Sequence, residues 1–304
     1  MKKIPVGATI AHAYGFAFGK FPAVLRVTAP ALVLQLALSL FMIGRMIPAL
    51  EAIEAKDPSA FSLLGPVLLL YPLAFILFFV QFTSVTELAL GQVMDASWFH
   101  FPLGKKMWRL LGGFIMAVLA IAGLLLAAGL VAWLMAVLVS SALSAASPVA
   151  AKAIAGLLAL LAILACYCGL IFVVVRFFFL LAPVNVAEAR LGVGRAWLLS
   201  RGNFWRAFLV TLAIVLPITI LEYVFIFAAV GFPPMPQGGG AQAYETARLA
   251  WQTSILSTIW RHWYISLPVF AVIMVLYLGA GCAAQVFAYR KLTEDEALAP
   301  VAAD

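Results

Sequence analysis

Six segments of this chain are apolar for longer than any loop or surface helix tolerates, and nothing else in the sequence constrains its fold as strongly. A bilayer core takes about 20 mainly apolar residues as one helix. Runs of that length fall at about 27–49, 63–86, 110–139, 153–181, 207–231 and 264–288. Hydrophobic residues make up 66% of the 304 and charged residues only 10%, with a mean hydropathy of +1.12. A soluble domain carries about 25% charged residues, so a soluble fold is excluded. The expected class is all-α: a polytopic membrane protein of about six transmembrane helices, forming a single transmembrane domain over 1–304.

The breaks between the runs fall into two kinds. Glu51–Pro58 is polar, Ser140–Pro148 is small and hydroxyl-rich, and Gly231–Gly240 contains three prolines and four glycines and cannot continue a helix. The other breaks are basic. Thirteen of the nineteen Lys and Arg residues lie before the first run, between the second and third, between the fourth and fifth, or after the sixth, and a fourteenth, Arg176, lies near the end of the fourth run on the same side. Arg45, Lys56, Lys152, Arg248 and Arg261 lie opposite. By the positive-inside rule both termini are expected in the cytoplasm of a bacterial inner membrane, with a periplasmic loop at 232–263 and a cytoplasmic tail at 289–304. The opening Met1-Lys-Lys-Ile-Pro5 lacks the apolar core and small-residue site of a cleavable signal. The formal charge of +7 has no soluble domain to sit on, so nucleic acid is not an expected partner; membrane lipids are.

The basic breaks share a pattern. Ala13–Pro22, Ser97–Arg109 and Ala196–Arg206 are each aromatic-rich, pass through a glycine, and lead into a span. They suggest three repeated units of short interfacial helix plus helical hairpin, against the simpler reading that every cytoplasmic membrane boundary favours basic and aromatic residues. Residues 6–22 read as the first interfacial segment. Pro183 is expected to close the fourth span, and Val186–Trp197 to form a short interfacial helix weakened by Gly192 and Gly194. Lys105, Lys106, Arg109, Arg190, Arg195, Arg201 and Arg206 are candidate contacts for lipid headgroups.

The run Arg176-Phe-Phe-Phe-Leu-Leu-Ala-Pro183, followed by Glu188, Gly194, Ala196, Ser200 and Trp205-Arg206, resembles the membrane domain associated with glycerophosphoryl diester phosphodiesterases and the related stand-alone six-span bacterial inner-membrane proteins. The resemblance covers about 30 residues in motif and the chain in topology. Some members of that family carry a soluble phosphodiesterase barrel after the membrane part; none is expected in the short tail after the sixth run here, so no phosphodiesterase activity is carried over.

Chemistry-bearing motifs are otherwise sparse. His12, His100 and His262 are far apart, Cys166 and Cys168 point to different faces of one helix, and no metal, phosphate-loop or nucleophile signature appears. No cofactor is expected. Ionisable residues in or beside spans are costly and therefore candidates for function. Glu87 and Arg176 lie at similar depth and form one expected pair; Glu222, five residues after Pro217, and Arg45 form the other. Residues Ala241–Thr258 read as an outer helix, either an anchor or a lid over a cavity between spans five and six. The leading function is non-enzymatic lipid handling or envelope homeostasis. The alternative is secondary transport of a small solute or ion around a broken helix, for which six spans are few unless the chain dimerises. An intramembrane lipid enzyme is the third and lacks a nucleophile.

Overall fold

The computed structural model describes residues 2–93, 98, 100–144, 148–188, 191–233 and 241–298. Among them are ten helices and no strands: α1 (Val6–Gly19), α2 (Phe21–Glu54), α3 (Ala60–Ala89), α4 (Lys105–Ser144), α5 (Pro148–Phe178), α6 (Leu181–Ala187), α7 (Val193–Leu199), α8 (Phe204–Val230), α9 (Ala241–Arg261) and α10 (Trp263–Leu298). Six of them, α2, α3, α4, α5, α8 and α10, are long and apolar enough to cross a membrane. The chain is an all-α, multi-pass membrane protein. Helices α2, α3, α4 and α10 extend past both ends of their apolar segments, because backbone hydrogen bonding does not stop where hydrocarbon stops.

The ends of the bundle differ. At one of them the start of α1, the ends of α3 and α10 and the start of α8 are tied together: Lys2 Nζ lies 3.7 Å from Glu294, the Ile4 N–H donates to Asn203 Oδ1 at 3.0 Å, and Arg290 Nη2 donates to the Leu90 carbonyl at 2.7 Å. This is the end where most of the basic residues gather, and it is called the basic end below.

Helix α1 is a helix over nearly all of the expected interfacial segment, but it is docked lengthwise. Reading along it, Lys2 meets Glu294, His12 stacks on Phe287 with centroids 4.7 Å apart, and Ala17 abuts Gly279. The numbers rise in α1 as they fall in α10, so the two helices run antiparallel. The sequence explains the fit. Thr9, Ala13 and Ala17 form a buried stripe at four-residue spacing, and the facing part of α10 reads Gly279-Ala-Gly-Cys-Ala-Ala284. Small residues let two backbones approach closely, which is how helices associate where lipid is already as apolar as a side chain.

Proline placement is equally informative. Pro217 sits inside α8 without breaking it. A proline there leaves the carbonyl four residues earlier, Ala213, without its intrahelical donor. The Tyr14 hydroxyl of α1 donates to that carbonyl at 2.7 Å. An external donor thus satisfies the group that the proline orphaned.

Two local expectations are corrected. The fourth span does not end at Pro183: α5 stops at Phe178, and Pro183 lies buried in the first turn of α6, a position that needs no N–H of its own. The segment 186–197 is not one interfacial helix either. It is divided between α6 and α7 around Gly192, whose N–H donates to Asn185 Oδ1 at 2.8 Å. A Cβ at residue 192 would lie 2.1 Å from Val184 Cγ1, so only glycine permits the turn. Helix α6 is core, with all residues from Leu181 to Val186 buried.

The three approach segments share a docking rule more than a conformation. The second and third contact the last helix of the preceding hairpin, and the first, which no hairpin precedes, contacts the last helix of the chain. Helix α1 lies on α10, His100 reaches Glu87 of α3, and Trp197 of α7 packs on Arg176 of α5. In the second segment the described residues 100–103 form no helix.

Candidate functional site

Among the described residues, two cavities with charged side chains in their linings stand out. The first is at the basic end. Arg176, near the C-terminus of α5, lies 3.7 Å from the Trp197 ring centroid and 5.5 Å from that of Phe172. Its Nη2 donates to the Trp197 carbonyl at 2.8 Å and its Nε to Ser200 Oγ at 3.4 Å. A planar guanidinium suits this, because it can stack and donate at once. Beside it opens a cavity of about 450 Å³ lined by Lys3, Phe172, Arg176, Gly202, Phe204, Trp205 and Arg206. Three cations from three elements share it. No carboxylate is among the described lining residues.

The expected Glu87–Arg176 pair does not form. Glu87 is buried at the end of α3, where Lys106 donates to its Oε1 at 2.7 Å and His100 Nε2 lies 3.0 Å from its Oε2. Lys106 donates also to Gln92 Oε1 at 2.8 Å. The acid is thus neutralised by the segment that follows it in sequence, whereas Arg176 is held by a backbone carbonyl and aromatic rings and keeps its positive charge.

The other basic candidates divide in the same way. Lys106 is committed to Glu87, and Arg195 Nε lies 3.4 Å from Glu188, which also accepts from Tyr289. Arg109 Nε donates to the Lys105 carbonyl at 3.1 Å within α4. Lys105 and Arg201 are exposed and Arg206 is half-buried in the cavity. Arg190 lies outside the described residues. Lys3 was not among the sequence candidates, and its isolated place before α1 gave no signal of a cavity.

The second place is midway along the spans, between α2, α8 and α10. A cavity of about 440 Å³ is lined by Leu32, Gln35, Leu36 and Ser39 of α2, by Val215, Ile218, Thr219 and Glu222 of α8, and by Phe270, Ile273, Met274 and Tyr277 of α10. The expected Glu222–Arg45 pair is absent. Arg45 lies over the Phe41 ring at 5.5 Å on its own helix, and Glu222 makes no ion pair or hydrogen bond among the described residues. Sharing an outer half of the bundle did not make the two helices face each other there. Behind the cavity wall, Gln81 Nε2 of α3 donates to Gln35 Oε1, and the fully buried Gln81 Oε1 has no partner.

Helix α9 covers the segment expected as a helix, and it does not form a lid on the midspan cavity. It packs on α2, where a Cβ on Gly44 would come within 2.9 Å of the Trp260 ring, and on α8, where Trp251 stacks near Phe227. No residue of α9 is among the described residues lining the midspan cavity. No group of three His, Cys, Asp or Glu side chains suited to a metal occurs among the described residues.

Comparison with known proteins adds no relative: no family model, no curated protein and no solved structure matches this chain.

Proposed function

We propose that this protein is a non-enzymatic bacterial inner-membrane protein that handles lipid, and that its basic end, on the cytoplasmic side, binds the anionic headgroups of membrane lipid. The observation that carries this reading is the cavity at that end. Lys3, Arg176 and Arg206 supply positive charge there without a lining carboxylate, and Phe172, Phe204 and Trp205 offer apolar surface beside it. Phosphate is met by such cations, and an acyl or glycerol portion by the rings. The resemblance of the 176–206 motif to six-span membrane domains supports the same reading, as does the side on which basic residues gather.

Lipid retention tests it. Purified protein in nanodiscs of mixed phosphatidylglycerol and phosphatidylcholine, analysed by native mass spectrometry, should keep phosphatidylglycerol in excess. Lys3→Gln with Arg206→Gln should abolish that excess, whereas Lys105→Gln should not. Equal retention of the two lipids by the unaltered chain would refute the reading. Reporter fusions check the orientation: a fusion at Asp57 should report the periplasm and one at Gly104 the cytoplasm.

A further inference from the structure

The midspan cavity serves neither the headgroup reading nor the packing of the bundle. We propose that it is a binding site for a lipophilic organic ammonium ion, with the Glu222 carboxylate as counter-charge.

Four observations point to this ligand. The lining carries a single carboxylate and no cation among the described residues, and Glu222 has neither ion pair nor hydrogen bond there. A charge at this depth is costly without a partner, so the site selects a positive ligand over an anionic one. Hydrogen-bond acceptors stand on all three walls: the hydroxyls of Ser39, Thr219 and Tyr277, and the amide of Gln35. They suit the several N–H donors of an ammonium group. Two aromatic rings, Phe270 and Tyr277, are in the lining, and aromatic rings attract cations.

The fourth observation is size. A volume of about 440 Å³ falls within the range of small-molecule sites, about 300–1,000 Å³, and far exceeds one inorganic ion. Leu32, Leu36, Val215, Ile218, Ile273 and Met274 make the remainder of the wall apolar. The occupant therefore carries an apolar body behind its charged head. A divalent metal is disfavoured because one carboxylate gives too few anionic ligands.

The polar wall is also held in place. Gln35 is fixed from behind by Gln81, whose own carbonyl oxygen is buried without a donor. An amide pair sealed into the bundle at this cost positions a group that faces the cavity.

Matched probes decide the matter. Binding of 4-phenylbutylammonium and of 4-phenylbutanol, which share an apolar body and differ in charge, should be measured on the full chain in phosphatidylcholine nanodiscs, with empty nanodiscs subtracted. The ammonium should bind at least about tenfold tighter, as one uncompensated charge in a partly dry site predicts. Glu222→Gln should reduce that preference to about twofold or less. Ile218→Trp, which fills the cavity and keeps the acid, should remove binding of both probes. Equal binding of the two probes to the unaltered chain would overturn the proposal without any variant, and so would an ammonium preference that survives either substitution. Lys3→Gln with Arg206→Gln should leave ammonium binding unchanged, so failure here and failure of the headgroup reading are separable.

Discussion

Helices α10 and α5 are both spans, yet they are held in opposite ways. The most apolar window of α10 has a mean hydropathy of 2.2 and is 39% buried inside the bundle, whereas that of α5 reaches 2.9 and is 6% buried. The more hydrophobic helix is the less packed one. Lipid satisfies Leu and Ile side chains as well as protein does, so hydropathy decides which segments enter the membrane and small residues decide which of them pack. Helix α10 has its Gly279–Ala284 seam and contacts α1, α2, α3, α6, α8 and α9. Helix α5 exposes Leu157, Leu160, Leu161, Ile163, Leu164 and Tyr167, and is fastened to α7 by Arg176 near its end.

Substitutions at glycine give the sharpest contrast. A Cβ on Gly279 already approaches Ala17 Cα at 3.4 Å, so Gly279→Leu must displace α1 and should destabilise the protein by about 3 kcal/mol, the upper part of the overpacking range. Gly129 of α4 has open space around it, and Gly129→Leu should change the thermal midpoint in detergent by little. Equal effects would show that α4 and α5 are packed as tightly as α10.

The next effect is at Tyr14. Tyr14→Phe removes the donor to the Ala213 carbonyl and leaves it unsatisfied beside Pro217, at a cost of about 1–2 kcal/mol. Tyr167→Phe, on the exposed face of α5, should be neutral in the same thermal assay. A smaller loss, about 1 kcal/mol, is expected for Arg176→Lys, which keeps the charge but gives up the planar stack on Trp197. It should raise proteolytic cleavage between α5 and α8 before it lowers the thermal midpoint.

The smallest effect concerns pH. Burial, and then the nearby Arg290, hold the His12 imidazole below its ordinary range, so the docked α1 favours neutral His12. A group with a depressed value binds its proton more readily when released, and docking weakens as pH falls through about 6.5. His12 is largely exposed, which keeps the contribution small. The thermal midpoint of the unaltered chain should therefore fall slightly more on acidification than that of His12→Gln. Identical pH profiles for the two would remove His12 from the docking of α1.

The contrast also shows what the sequence made legible. Spans are written in one dimension as apolar runs, and all six were readable. Partnerships are not. Glu87 and Arg176 lie at similar depth, but which residues meet depends on how helices are rotated and paired. His100, in an aromatic loop thirteen residues past Glu87, carried no ligand-like signal and became its partner. The docking of α1 was partly legible: the spacing of Thr9, Ala13 and Ala17 matches a helical stripe, and the Gly-Ala run of α10 is its natural counterpart. The midspan cavity was legible only at Glu222, since Gln35, Ser39, Thr219 and Tyr277 are unremarkable until three helices bring them together.

The hydrogen bond between Tyr14 and Ala213 has a consequence in time as well as in space. Its partners are 199 residues apart, and the bond from Ile4 to Asn203 spans the same distance. The first of these helices to leave the ribosome is therefore docked by elements made much later, α8 and finally α10. Until they arrive, the Thr9–Ala13–Ala17 stripe has no seam to enter, and until α1 docks, the Ala213 carbonyl that Pro217 orphans in α8 has no donor. The bundle closes by returning to its own beginning, so a nascent chain halted before α10 still lacks the Gly279–Ala284 seam on which α1 docks.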